Sequence, residues 1–154
     1  MTDKEKLIQL SRYRLKQAEE SISEAMCLLS GKGSPRSIIN RAYYAMFYSV
    51  LALTVFEPYS SSKHSGVLSH FNKKFIKEGL LPEELGRSIN KAFELRQEGD
   101  YREYVELSYE EVEPFIDKAR IFLQEIKAYL KKNNFNPSYL NGNKRSTDSA
   151  DEYK

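Results

Sequence analysis

Apolar residues recur at three- and four-residue steps from the start of the chain. Ile8, Leu15, Ala18, Ile22, Ala25 and Leu29 form one stripe between charged positions. That period belongs to an amphipathic helix and predicts one over about Lys4 to Ser30. Gly31-Lys32-Gly33-Ser34-Pro35 ends it and prepares the next, with glycine as the stop and Ser-Pro as cap and first turn. The following stretch, Pro35 to about Phe56, is apolar or aromatic nearly all round, as expected of a central helix packed on several sides. Glu57-Pro58 closes it, because the residue before proline disfavours helix.

The polar run Tyr59 to Gly66 reads as a loop. A short helix is predicted from Gly66 to Lys77, using Val67, Leu68, Phe71, Phe75 and Ile76. After Gly79 the chain restarts at Pro82, with Leu85, Ile89, Ala92 and Phe93 on one face as far as about Gln97. Gly99 is expected to break that helix, leaving Asp100 to Tyr104 as a connection. Ser108-Tyr109-Glu110-Glu111 is a capping box. From it one last helix carries Val112, Phe115, Ile116, Ala119, Phe122, Leu123, Ile126 and Leu130, with Pro114 tolerated in the first turns. No strand pattern and no internal repeat emerges. The expected fold is all-α, an up-and-down bundle of four to five helices over residues 1–132, followed by a flexible polar tail over 133–154.

Composition narrows this picture. A chain of 154 residues is one domain, and its seven glycines and five prolines are too few for a turn-rich sandwich or barrel. A formal charge of +2 gives no overall field that would hold nucleic acid unaided, so any such contact must be local. The lone Cys27 excludes an internal disulfide. The N-terminus lacks the apolar run of a signal peptide, and the Ala42 to Phe56 stretch is too short to span a bilayer. The cytoplasm is the expected compartment, with no membrane partner.

Arg96 is the most informative residue. It lies three and four positions beyond Phe93 and Ala92, on the apolar face of its helix, where a guanidinium must find a carboxylate, a carbonyl or a ligand. A structural ion pair with Asp100 and an anion contact both satisfy that requirement. Arg41 repeats the argument inside NRAYYAMFY, followed by Tyr43, Tyr44 and Tyr48, whose hydroxyls need polar partners if buried. Arg41, Arg96, the tyrosines and Asp100 are candidates for one polar cluster. Lys63, Lys73, Lys74 and Lys77, with His64 and His70, give a local positive bias between Pro58 and Lys77 that suits either RNA phosphates or a solvated face. Two histidines and one cysteine without paired spacing do not suggest a zinc site, and no phosphate-binding glycine loop or GxSxG elbow is present.

Three stretches taken together carry a resemblance. SIINRAYYAMFYSVLAL, KHSGVLSHF and NKAFELRQEGDYREYVELSYEEVEPFIDKARIFLQEI resemble the HEPN domain (higher eukaryotes and prokaryotes nucleotide-binding), in particular its small stand-alone prokaryotic members. The resemblance covers roughly Lys4 to Leu130. It implies a helical bundle, commonly a homodimer, often encoded beside a minimal nucleotidyltransferase as a toxin–antitoxin pair, with no cofactor. Many members are metal-independent ribonucleases whose motif is an Arg followed four to six residues later by a His. Arg96 falls at the Arg position, but Tyr101, Arg102 and Glu103 stand where that His is expected. His64 and His70 precede Arg96 in the chain and do not complete the motif.

Tyrosine, with a pKa near ~10, does not move protons near neutral pH as histidine does. The resemblance therefore implies a non-catalytic or weakly catalytic domain. It would bind a nucleotide, RNA or a nucleotidyltransferase partner at a groove of Arg96, Asp100, Tyr101, Arg41, Tyr44 and His64. A ribonuclease toxin and a purely structural adaptor are the alternatives.

Overall fold

The computed structural model describes residues 1–101, the last by its backbone alone, and 106–133. The expected tail therefore lies outside the described residues, except for Asn133. So does the expected connection over 102–104.

Helix α1 spans Asp3–Ser30. Its start is fixed by a capping box that the apolar period does not reveal. Thr2 Oγ1 accepts from the Glu5 amide at 3.1 Å, and the Glu5 carboxylate accepts from the Thr2 amide at 2.9 Å. The predicted stripe is buried from Ile8 to Ala25, whereas Cys27 is exposed.

Helix α2 spans Pro35–Thr54, capped by Ser34, whose Oγ accepts from the Ser37 amide at 3.1 Å. It packs against α1 and the two later long helices, and eleven of its residues are buried. That is the central position its all-round apolar pattern predicts. The helix ends two residues before the expected Phe56. Carbonyls in a helix's last turn lack intrahelical donors, and Ser11 on α1, itself fully buried, supplies one by donating to the Ala52 carbonyl at 2.7 Å. Ser11→Ala should therefore lower the unfolding free energy by about 1–3 kcal/mol, the cost of stranding a buried acceptor. Urea unfolding measures this, and an unchanged midpoint would show that water reaches the carbonyl.

Helix α3 spans His64–Phe71, beginning two residues earlier than the sequence suggests, with Lys63 as its cap residue. It continues into a π-helical turn over Asn72–Ile76, where the Lys77 amide donates to the Asn72 carbonyl at 2.8 Å. The Asn72 side-chain amide donates to the Leu68 carbonyl at 2.9 Å and to Asn90 Oδ1 at 3.1 Å on the next helix. Close approach is possible because residue 86 is glycine. A Cβ there would lie 2.9 Å from Asn72 Oδ1 and 3.2 Å from a methyl of Ile76.

Helix α4 spans Glu83–Tyr101 and corrects the expectation that Gly99 ends it. The helix runs straight through that residue. A Cβ at 99 would meet Leu107 at 3.0 Å and the Arg36 stem at 3.2 Å, so this glycine serves close packing rather than termination. The C-terminal helix is likewise two pieces, α5 over Tyr109–Val112 and α6 over Pro114–Lys132. Glu113 keeps helical dihedrals (φ −53, ψ −43). The interruption is one of hydrogen bonding, since Pro114 has no N–H to donate.

The all-α bundle is thus as predicted, with a core of Tyr43, Phe71, Phe75 and Phe122 among its largest fully buried side chains. No described helix is long and apolar enough to cross a membrane.

Candidate functional site

Three helices meet around the aromatic pair Tyr43 and Tyr44: the middle of α2, the first turn of α3 and the C-terminal half of α4. Adjacent residues on a helix point about 100° apart. Tyr43 therefore faces the core, fully buried, while Tyr44 lies at the rim. Arg96 bridges them, its guanidinium carbon 5.3 Å from the Tyr43 ring centre and 5.2 Å from that of Tyr44. Its side chain is only 14% exposed.

The hydrogen bonding of that guanidinium is incomplete. Nη2 donates to the Tyr44 hydroxyl at 3.4 Å, a long contact. Nε lies 3.8 Å from Asp100 Oδ2, close enough for charge pairing and too far for a hydrogen bond. Nε is buried and has no hydrogen-bond acceptor among the described residues. Buried donors are nearly always satisfied, so an unused one on a cation asks for an explanation.

His64 reaches the same place from α3. Its Nδ1 is 2.8 Å from the Tyr43 hydroxyl, and its ring stacks on Phe47 at 4.0 Å with 13° between planes. The Tyr44 ring meets it edge-on at 5.6 Å. Burial, and then the neighbouring Arg96 charge, hold the imidazole below its usual pKa, so it is neutral near pH 7. Burial pushes the Tyr43 phenol well above its normal range, and it remains a neutral hydrogen-bond partner.

Arg41 stands on the outer side of Tyr44, 5.2 Å from the same ring centre. It is not the inward residue that its spacing suggests. Its side chain is 30% exposed, Nη1 is 3.1 Å from Glu24 Oε1, and Nε and Nη2 donate to Asn40. Glu24 on α1 faces Arg41 across the helix pair and draws it outward. An open recess of about 310 Å³ lies beside the cluster, lined by Arg36, Ser37, Asn40, Arg41, Leu28 and Asp100. Two cations, Arg36 and Arg41, therefore border the recess that Asp100 also lines.

Of the residues singled out from sequence, Arg96, Tyr44, Asp100, Arg41 and His64 are brought together. The side chain of Tyr101 lies outside the described residues. His70 is elsewhere, stacked on Tyr59 at 4.4 Å, with Nε2 3.6 Å from Glu57 Oε1. Lys63, Lys73 and Lys77 are exposed on the α3 side. Sequence reasoning did not identify Tyr43 and Phe47 as the seat of His64. Their four-residue spacing puts both on one helix face, but nothing in the sequence joins that face to a residue 21 positions on. Among the described residues, no group of three His, Cys, Asp or Glu side chains is placed to hold a metal ion.

Comparison with known proteins gives a consistent frame. The family model for the HEPN domain matches residues 11–129. A UPF0332 protein of Thermotoga maritima is 44% identical over 131 residues, covering 85% of this chain and 96% of that protein. Two proteins of Methanocaldococcus jannaschii are also similar. One, named "Putative toxin MJ0142", is 44% identical over 62% of this chain and 65% of its own length. The other, named "Putative toxin MJ0605", is 38% identical over 75% of this chain and 84% of its own.

Proposed function

This chain belongs to the HEPN domain family, and from that premise we propose that it is the phosphate-recognising member of a toxin–antitoxin pair. In this reading it binds a nucleotide or RNA at the Arg96 cluster and acts as a homodimer with a minimal nucleotidyltransferase partner. The names of two relatives support the toxin–antitoxin setting. The observation that carries the ligand is the state of Arg96, a largely buried guanidinium whose Nε has no acceptor among the described residues. Guanidinium is the side chain best matched to a phosphate, because its planar donors pair with two oxygens at once. Arg36 and Arg41 at the adjoining recess would meet neighbouring phosphates.

The structural-adaptor alternative asks the Arg96–Asp100 pair to tie α4 together. At 3.8 Å the Nε–Oδ2 separation is beyond hydrogen-bond distance, so the pair holds by charge alone and leaves the Nε donor unused. The ribonuclease alternative gains one observation. His64, excluded by chain order, lies against the same two tyrosine rings as Arg96.

The test is fluorescence anisotropy with labelled single-stranded RNA and with a labelled adenine nucleotide, comparing wild type with Arg96→Met. Methionine keeps the stem packed on the tyrosines and removes the charge. Affinity should fall about 10- to 100-fold, the worth of a charge-assisted hydrogen bond. Equal affinity in the two proteins would sink the assignment. The same RNA, incubated without metal and run on a gel, separates binding from cleavage.

A further inference from the structure

His64 and Arg96 both lie against the Tyr43 and Tyr44 rings, and an imidazole can change charge with pH. We propose that an anionic phosphate bound at Arg96 also engages His64 as an imidazolium, so that ligand binding takes up one proton. The inference rests on the phosphate-binding reading above and deepens it.

Geometry supplies the parts. The imidazole is clamped on three sides, by the Tyr43 hydroxyl at Nδ1, the Phe47 ring below and the Tyr44 edge. A hydroxyl can donate to a bare ring nitrogen or accept from a protonated one. Tyr43 therefore seats His64 in either charge state without moving it, and leaves Nε2 as the atom available to a ligand.

Among the described residues, the charged and titratable groups around it are few. From α2 come Tyr43, kept neutral by burial, Tyr44, and Arg41 beyond the Tyr44 ring. From α4 come Arg96 and its neighbour Asp100. Lys63 precedes His64 on its own segment. In the free protein Arg96 and burial both oppose a charge on His64. A phosphate between the two cations reverses the balance, because its negative charge cancels the field of Arg96 and attracts the imidazolium directly.

The sign follows from linkage. The free protein has the lower histidine pKa and the complex the higher one, so the complex holds more protons at every pH between them. Affinity must rise as pH falls through that window, and level off below the free value, which lies under the ordinary 6.5. One proton sets the limit, about tenfold in affinity per pH unit.

The probe is a rhodamine-labelled 2′-O-methyl oligouridylate without a terminal phosphate. Neither its diesters nor its bases titrate near neutrality, and it resists cleavage. Kd measured between about pH 8 and about pH 5.5 should tighten towards that tenfold slope in wild type and be flat in His64→Gln. The chain has two histidines, so the variant also assigns the imidazole signals by NMR. The His64 titration should move to higher pH when wild type is saturated with the oligomer.

A flat wild-type profile with Arg96-dependent binding overturns this inference and leaves the phosphate site standing. So does a slope that survives in His64→Gln. Failure of the wild type to bind across the range overturns both.

Discussion

Truncating Phe122 to alanine should lower the unfolding free energy by about 3–5 kcal/mol, the usual cost of deleting a buried aromatic ring. The melting midpoint should fall by roughly 10 °C in a domain of this size. Phe122 has no exposed surface. Its ring lies 5.6 Å from Phe71, which meets Phe75 at 6.0 Å, and Phe75 meets Tyr129 edge-on at 5.7 Å. These rings join α6 to α3 and its π-helical turn. Helix α3 has only 8 residues, too few to hold a helix by itself in water. Packing on α6 must therefore stabilise it, and its first residue is His64. The variant should also lose affinity at the proposed phosphate site, although Phe122 is not one of the residues that form it. Denaturant unfolding and the anisotropy assay, run below the variant's melting range, read the two effects. A loss below about 1 kcal/mol would mean that α3 and α6 close over the gap.

Tyr43→Ala should cost a similar ~3–5 kcal/mol and abolish the cluster as a unit. Its ring is fully buried and touches Tyr44, Phe47, His64 and Phe93, with Arg96 above it. Tyr43→Phe separates the ring from its hydroxyl. It keeps the packing, removes the partner of His64 Nδ1, and should cost only about 1 kcal/mol. Urea unfolding of both variants measures the difference. If phenylalanine were as costly as alanine, the hydroxyl rather than the ring would dominate the energetics of this part of the core.

Legibility from sequence followed the physics of each feature. The helices were readable because their apolar period and their caps are local. The α6 stripe from Phe115 to Leu130 is buried at every predicted position, and the Ser108 box begins its segment. Gly99 misled because a glycine's helix-breaking tendency is weak, about 1 kcal/mol, and close packing against Arg36 and Leu107 overrides it. Arg96 was legible as a charge on an apolar face. Arg41 looked equivalent by the same rule, but Glu24 lies on another helix and its pull is invisible in a local pattern. The largest omission was the seat of His64 on Tyr43 and Phe47. A motif defined by order along the chain discards a histidine that arrives from upstream, whereas contact depends only on where the helices lie.

Biosynthesis sets the same parts in time. The chain emerges N-terminus first, at roughly 5–20 residues per second. The α1–α2 hairpin, with Ser11 bonded to Ala52, is available to form early. Tyr43 and Tyr44 wait on it, His64 follows, and Arg96 arrives 52 residues after its tyrosine partner. The α6 rings that hold α3 against the bundle emerge later still. A nascent or truncated chain ending before α4 thus carries the aromatic platform without the guanidinium that packs on it. This order of assembly leaves the Arg96 cluster incomplete until α4 has been made.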